Sequence, residues 1–414
     1  MSFRTDAAAL TDDLVVLRRE LHQIPEVGLD NPQTQAAVLR ALEGLPLEIH
    51  TGTGTSSVVA VLRGGRRSAG SEMGDSEMGD SDDPPVPTVL LRGDTDGLPV
   101  TERTGLPYAA TTGTMHACGH DLHTAGLVGA ARLLSARREE LAGDVVFMFQ
   151  PGEEGYGGAK VMLDEGLLEV SGNRPIAAYA IHVCPGPRGV FWQRTGPILA
   201  GSNTLEITVT GRGGHGSQPH TAADPVAALI AIASDLQTMV TRRFSVFDPV
   251  VLTVTRLRGG DATNVIPDDA WLAATVRTLS AEHTELMRTE VTRLATHIAE
   301  AHGCTAEVDY QIQYPVTVND ADESAWVLGA LREEFGQDRV EVREDPIMGS
   351  EDFSFVLDEI PGTFFFLQCS PDEVDLETAA WNHSPEVLFD DSVLGDQAAA
   401  LATLARQRLE QERA

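Results

Sequence analysis

Apolar residues recur at Leu10, Leu14, Leu17 and Leu21, the spacing of one helical face, so the pattern predicts a helix over residues 7–21 that Pro25 ends. A second helix is predicted over 32–42, with Pro32 at an early position where its missing N–H does no harm. Residues 57–62 (SVVAVL) and 88–92 read as buried strands. The chain then alternates: helix 125–136, strand 144–149, helix 159–164, strand 177–181. Such alternation predicts an α/β sheet with helices on both faces.

The texture changes near Gly201. Strand 205–210, helix 224–240, strands 250–257 and 270–278, helix 282–302 and strand 305–312 give the order βαββαβ, which fits a ferredoxin-like domain. The α/β pattern resumes through 326–335, 363–368 and a final helix over 393–409. The expected organisation is one discontinuous domain, residues 1–199 and 314–414, with a second domain, 200–313, inserted into it. A length of 414 residues also exceeds what one core usually supports.

Charge narrows the partners. There are 62 Asp plus Glu against 30 Lys plus Arg, a formal net charge of −32, and Lys160 is the only lysine. A surface this acidic excludes general phosphate neutralisation of nucleic acid and attraction to anionic lipid. No apolar stretch approaches the roughly 18 residues of a membrane span, and residues 1–13 include polar and acidic residues where a signal peptide has its apolar core. Cys118, Cys184, Cys304 and Cys369 are scattered and form no disulfide framework, so a reducing, cytoplasmic setting is expected. Residues 68–85 contain a tandem SEMGD repeat with six acids and no base, read as a solvated hairpin-loop expansion.

The histidines carry the chemistry. MHACGHDLHT places His116, Cys118, His120, Asp121 and His123 within eight residues just before a helix. Cys118 and His120 are two apart and would face different sides of a helix, so they need a loop, which Gly119 supplies. Strand 144–149 runs into Gln-Pro-Gly-Glu-Glu-Gly, giving Glu153 and Glu154; strand 177–181 ends at His182; strand 88–92 is followed by Asp94 and Asp96. Three strands thus deliver metal-type donors at one end, where open α/β sheets build their sites. Asn382-His383-Ser384-Pro385 offers a last histidine in a proline-bounded loop. Thiolate, imidazole and carboxylate drawn from distant segments suit one or two divalent ions with open positions, rather than a closed structural zinc. Adjacent glutamates allow one to ligate while the other takes a proton.

MHACGHDLHTA, QPGEEGYGGA, His182, GGHGSQPH, ATNVIP and GSEDFSF occur in an order that resembles the aminoacylase and carboxypeptidase family of co-catalytic metallohydrolases, in particular its hippurate hydrolase, N-acyl-amino-acid amidohydrolase and indole-acetyl-amino-acid hydrolase branch. The resemblance spans roughly residues 10–405. It implies metal ligation by Cys118, His120, Glu154, His182 and His383, with Glu153 as general base. Where the wider family has a His-x-Asp pair this chain has Asp94-Thr95-Asp96, which matches the branch carrying the cysteine ligand. Asp94 is therefore left out, and Asp96 takes an orienting role. The metal implied is manganese or zinc, with cobalt or nickel as alternatives. The implied reaction is hydrolysis of the amide of a small N-acyl amino acid; a dipeptidase or carboxypeptidase of the same family is the rival, and a non-catalytic metal- or ligand-binding relic a more distant one. Cys118 as a covalent nucleophile is a further alternative.

Within the inserted domain, Gly211–Gly216 reads G-R-G-G-H-G, formally a dinucleotide fingerprint. It lacks the acidic partner at a second strand end, because residues near Asp235 are still inside a predicted helix. The favoured reading makes His215 a donor to the oxyanion. The resemblance implies that this histidine is supplied by a neighbouring subunit, hence a homodimer, and that Asn264 and Arg277 hold the substrate carboxylate. Glu351 and Asp352 of GSEDFSF receive no ligand role. His22, His50, His283, His297 and His302 lie without clustered donors and carry no assignment.

Overall fold

The computed structural model describes residues 2–66 and 86–413. These divide into two compact units, Met1–Gly196 with Val318–Asp345 and Phe355–Ala414, and Pro197–Thr317 with Pro346–Ser354. The first unit opens with α1 (Arg4–His22), α2 (Pro32–Leu42), β1 (Leu47–Thr51), β2 (Val58–Leu62) and β3 (Thr88–Asp94). It continues with α3 (His120–Ala136), β4 (Asp144–Gln150), α4 (Gly158–Asp164), β5 (Ala177–Cys184) and β6 (Phe191–Gln193). After β7 (Gly196–Leu199), the second unit contains β8 (Gly201–Thr210), β9 (Gly214–His215), α5 (Pro225–Arg243), β10 (Val251–Gly259), β11 (Val265–Ile266), β12 (Asp269–Thr278), α6 (Ala281–Ala301) and β13 (Thr305–Tyr314). The chain then runs through β14 (Thr317–Asn319), α7 (Ala321–Phe335), β15 (Val340–Val342), α8 (Ser354–Glu359), β16 (Gly362–Gln368) and α9 (Leu394–Arg413).

The first unit is organised by an eight-stranded sheet in the order β1-β2-β4-β3-β5-β16-β6-β15. Its central strands β4, β3, β5 and β16 are parallel, so their carboxyl ends lie along one edge. Every residue of β2, β3, β4 and β16 is buried, as in strands covered on both faces. Leu91, Phe147 and Tyr179 from one face join a core with Leu14 of α1, Leu127 of α3 and Leu401 of α9. A side chain of that size contributes about 1.5–3 kcal/mol on full burial. Gly129 makes the helix packing close: a Cβ there would lie 2.7 Å from the Ala398 Cβ and 2.8 Å from Leu14 Cδ1.

One expectation is corrected by this topology. The strands flanking the acidic repeat, β2 and β3, are separated in the sheet by β4, so their connection is not a hairpin between hydrogen-bonded neighbours. The repeat itself, residues 68–85, lies outside the described residues.

The second unit is a four-stranded antiparallel sheet, β10-β12-β8-β13, with α5 and α6 packed against one face. Alternation along β8 buries Leu205, Ile207 and Val209 against Leu229 and Ile232 of α5 and Met287 of α6. Asp224 caps α5 by accepting the N–H groups of Val226 and Ala227, with Pro225 at the first position. The connectivity is the ferredoxin-like βαββαβ, and a small ribbon, β9 with β11, is added to it. Among the described residues no helix is long and apolar enough to cross a membrane.

Candidate metal centre

Local backbone geometry presents the donors. Gly119 adopts φ +88 between Cys118 and His120, and a Cβ there would lie 2.3 Å from Val183 Cγ2. Only glycine reconciles that left-handed turn with close approach to β5. His120 then opens α3. Beyond β4, the Asp96 carboxylate accepts the backbone N–H of Glu153 at 3.0 Å and that of Glu154 at 3.1 Å, fixing the paired glutamates in one turn. His383 has φ 73 and is the one non-glycine residue with positive φ among those described. Such a conformation costs about 1–3 kcal/mol, and neighbouring hydrogen bonds hold it. The His383 N–H donates to the Ala117 carbonyl at 2.8 Å, and Asn382 Nδ2 donates to the carbonyls of Cys118 and Val183, each at 3.1 Å.

The five residues expected as ligands come together in the first unit. Candidate ligand atoms of Cys118, His120 and His182 lie within 4.8 Å of one another, as do those of Cys118, Glu154 and His383, and those of His120, Glu153 and Glu154. Shared members join these trios into a single cluster. His182 Nδ1 lies 2.7 Å from the Val183 carbonyl oxygen, which can only accept, so Nδ1 carries the proton and Nε2 presents a lone pair. That lone pair faces Cys118 Sγ at 3.4 Å. Donors sharing a tetrahedral ion, with bonds of about 2.0–2.3 Å, sit roughly 3.3–3.8 Å apart. His120 is fully buried, yet neither ring nitrogen makes a well-directed hydrogen bond among the described residues; the nearest carboxylate oxygens, of Asp94 and Asp96, are each 3.4 Å away. Leaving such a group unsatisfied costs about 1–3 kcal/mol. Orphaned imidazole, a pre-set tautomer and mixed S, N and O donors fit a divalent ion.

Electrostatics point the same way. Burial and the Glu154 carboxylate push the Cys118 thiol up, the opposite of what a covalent thiolate nucleophile requires. Hydrogen bonds with Cys118 and Glu154 push His383 up to about 10, and His383 Nε2 stands 3.0 Å from Glu154 Oε1. Burial opposes charge on His120, but Asp94 and Cys118 outweigh it and hold the ring well above the usual histidine range. Burial, followed by His123, pushes His182 well down. Protons here occupy places that a cation would take.

His123 and Asp94 are close to His120, yet their atoms are committed elsewhere. His123 Nδ1 donates to Asp94 and its Nε2 accepts the Val183 N–H at 2.7 Å, while Arg92 holds the other Asp94 oxygen at 2.8 Å. The pair therefore braces the end of β5 beside His182. Asn382, whose amide ties two ligand segments together, carried no signal beyond its place next to His383.

In the second unit, His215 and Asn264 meet on the β9–β11 ribbon, where Gly216 N–H donates to the Asn264 carbonyl at 2.8 Å. His215 Nδ1 accepts the Ser217 N–H at 3.1 Å, which leaves the proton on Nε2 of the neutral ring. Arg277 lies on β12, half-buried, with Nη1 donating to Thr275 Oγ1 at 2.7 Å and to the Val276 carbonyl at 3.0 Å. Burial lowers its pKa, and among the described residues no carboxylate pairs with it. Glu351 accepts the Phe353 N–H at 2.9 Å in its own turn.

His22 reverses an expectation. The sequence placed it without clustered donors, but it is buried with Arg18 of the same helix against Asp121 and Glu102. The partners lie about 80 to 100 positions away in sequence, and spacing along one helix carries no trace of them.

The sequence profile of peptidase family M20/M25/M40 matches residues 90–407. The chain is 33% identical over 411 residues to thermostable carboxypeptidase 1 of Saccharolobus solfataricus, covering 97% of each chain. It is 34% identical over 398 residues to N-acetylcysteine deacetylase of Bacillus subtilis, covering 95% of this chain and 96% of that one. Among solved structures, the Bacillus subtilis YXEP protein, described as a dinuclear metal-binding peptidase from the M20 family, superposes with a TM-score of 0.80 at 31% identity, covering 97% of this chain and 99% of that one.

Proposed function

Because the chain belongs to peptidase family M20/M25/M40, and is a hydrolase that uses divalent metal, we propose that it cleaves the amide of an N-acyl amino acid or related amino-acid conjugate. Cys118, His120, Glu154, His182 and His383 would hold one or two ions per subunit, manganese or zinc in this reading, with cobalt or nickel as substitutes. When bound, a divalent ion supplies Lewis acidity toward the amide carbonyl and lowers the pKa of water.

The chain's own groups do the remainder. Glu153 takes the proton of the attacking water and delivers it to the leaving nitrogen. Asp96 holds the Glu153–Glu154 turn, so the base and its ligand neighbour keep their separate tasks. The His215 Nε2–H donates to the oxyanion, and Asn264 and Arg277 bind the free carboxylate of the substrate. The reading includes a cytoplasmic homodimer in which His215 serves the neighbouring subunit's site. It includes no nucleic-acid or membrane partner, in line with the acidic composition.

The observation that carries the reading is the joined cluster of six donors with an orphaned, buried His120. A second reading, carboxypeptidase or dipeptidase activity, has support in the likeness to thermostable carboxypeptidase 1. Product release measured across N-acetyl, N-benzoyl and indole-acetyl amino acids and dipeptides, with and without added Mn2+, separates them. Turnover of acyl amino acids well above that of dipeptides is expected; the reverse ranking assigns the chain to the second reading.

A further inference from the structure

The end of α1 contributes a buried ionic cluster that the reaction described above does not use. Arg18 is 1% exposed and His22 2% exposed. Arg18 Nε lies 2.7 Å from Asp121 Oδ2, and its Nη1 donates to the Tyr108 hydroxyl at 2.8 Å. His22 Nδ1 lies 2.8 Å from Asp121 Oδ2 and its Nε2 lies 3.2 Å from Glu102 Oε1. The two shorter contacts of His22 are to carboxylates, which only accept, so the ring donates from both nitrogens as an imidazolium, with Arg18 Nη2 farther off at 3.4 Å from Nδ1. Arg18 and His22 thereby face Asp121 and Glu102 away from water, with Asp391 Oδ2 3.7 Å from Arg18 Nη1 at the edge of the cluster.

A buried ion pair roughly breaks even in stability against apolar residues of the same shape, and its best-attested use is to fix one arrangement among several. What this cluster fixes is specific. Asp121 follows His120 in the first turn of α3. Beside Glu102, the Arg103 N–H donates to the Pro385 carbonyl at 2.8 Å, two residues beyond His383. Four residues after His22, the Glu26 carbonyl accepts the Gly97 N–H at 2.6 Å, next to Asp96. The segment spanning residues 18–26 thus reaches the first turn of α3 beside His120 and the turn after Asp96 directly, and through Glu102 and its neighbour Arg103 the loop that carries His383.

We propose that the cluster of Arg18, His22, Glu102 and Asp121 is a positioning device that sets the metal-ligand loops in register. Arg18 and His22 touch neither ion nor substrate and act through Asp121 and Glu102. The inference rests on the metal-site reading.

The test uses Arg18→Met, His22→Gln and the charge-neutral double variant Arg18→Met with Asp121→Asn. Each full-length protein is stripped with chelator, its thermal midpoint measured without metal, and Mn2+ binding followed by titration calorimetry. Mn2+ affinity should fall about 10–100-fold in all three, as for other groups that orient ligands. The double variant should recover most of the stability lost by Arg18→Met, and excess Mn2+ should restore kcat. A double variant that regains wild-type Mn2+ affinity together with stability, or a folded His22→Gln with unchanged affinity, would overturn the inference and leave the metal reading intact. A wild-type protein that binds no Mn2+ or Zn2+ would instead overturn the metal reading, and this inference with it.

Discussion

The Asp96 carboxylate accepts the backbone N–H of Glu153 at 3.0 Å, so a residue at the end of one parallel strand sets the backbone of the proposed base at the end of the next. Its second oxygen does the same for Glu154. Replacing Asp96 with Ala removes both acceptors and frees the turn. Activity is expected to fall roughly 10–100-fold while the far-ultraviolet circular dichroism stays native. Near-native kcat in Asp96→Ala would show that the glutamate turn is fixed by other contacts.

Much of this centre was legible because its donors sit at element boundaries. Periodicity located β3, β4 and β5, and parallel pairing carried Asp94, Glu153, Glu154 and His182 to one edge. Gly119 announced a loop, and φ +88 is the conformation that only glycine adopts freely. Short elements escaped: β6 has three residues, too few for a period to register, although it pairs with β16 and β15. The arrangement of β2 and β3 around β4 was also hidden, because adjacency in sequence predicts adjacency in a sheet only part of the time. The role of His22 was invisible, since its partners arrive from α3 and from the loop around Glu102.

Metal affinity should depend steeply on pH. In the metal-free protein His383 stands at about 10 and the Cys118 thiol above its ordinary value, so both hold protons at pH 7. Ligation needs a neutral imidazole and a thiolate, so binding releases those protons and strengthens as pH rises. His120, also held well above the usual histidine range, adds a third proton, and each proton released raises the association constant roughly tenfold per pH unit while its site stays protonated. Zn2+ competition titrations between pH 6 and 8 measure the slope; a flat profile would exclude Cys118 and His383 as ligands.

Gly119→Ala forces a side chain into φ +88 and toward Val183 Cγ2. A destabilisation of about 1–3 kcal/mol is expected from the backbone alone, read as a lower thermal midpoint, with weaker Mn2+ binding because Cys118 and His120 flank the turn. An unchanged midpoint would mean that the loop relaxes without cost.

Chelator and thiol reagent separate two chemistries. Activity should disappear on prolonged chelation and return with Mn2+ or Zn2+, and bound metal should protect Cys118 from iodoacetamide. Cys118 is one of four buried free cysteines, and burial disfavours its thiolate. Alkylation that inactivates at equal rates with and without metal would revive covalent catalysis.

The most direct test of the central claim is Glu153→Gln, assayed for bound metal and turnover on the same preparation. The substitution preserves shape and removes the proton acceptor. The expected result is wild-type metal content with kcat reduced by at least about 100-fold, the scale of general-base catalysis. Near-native kcat with metal bound would contradict the assignment of Glu153 as the base.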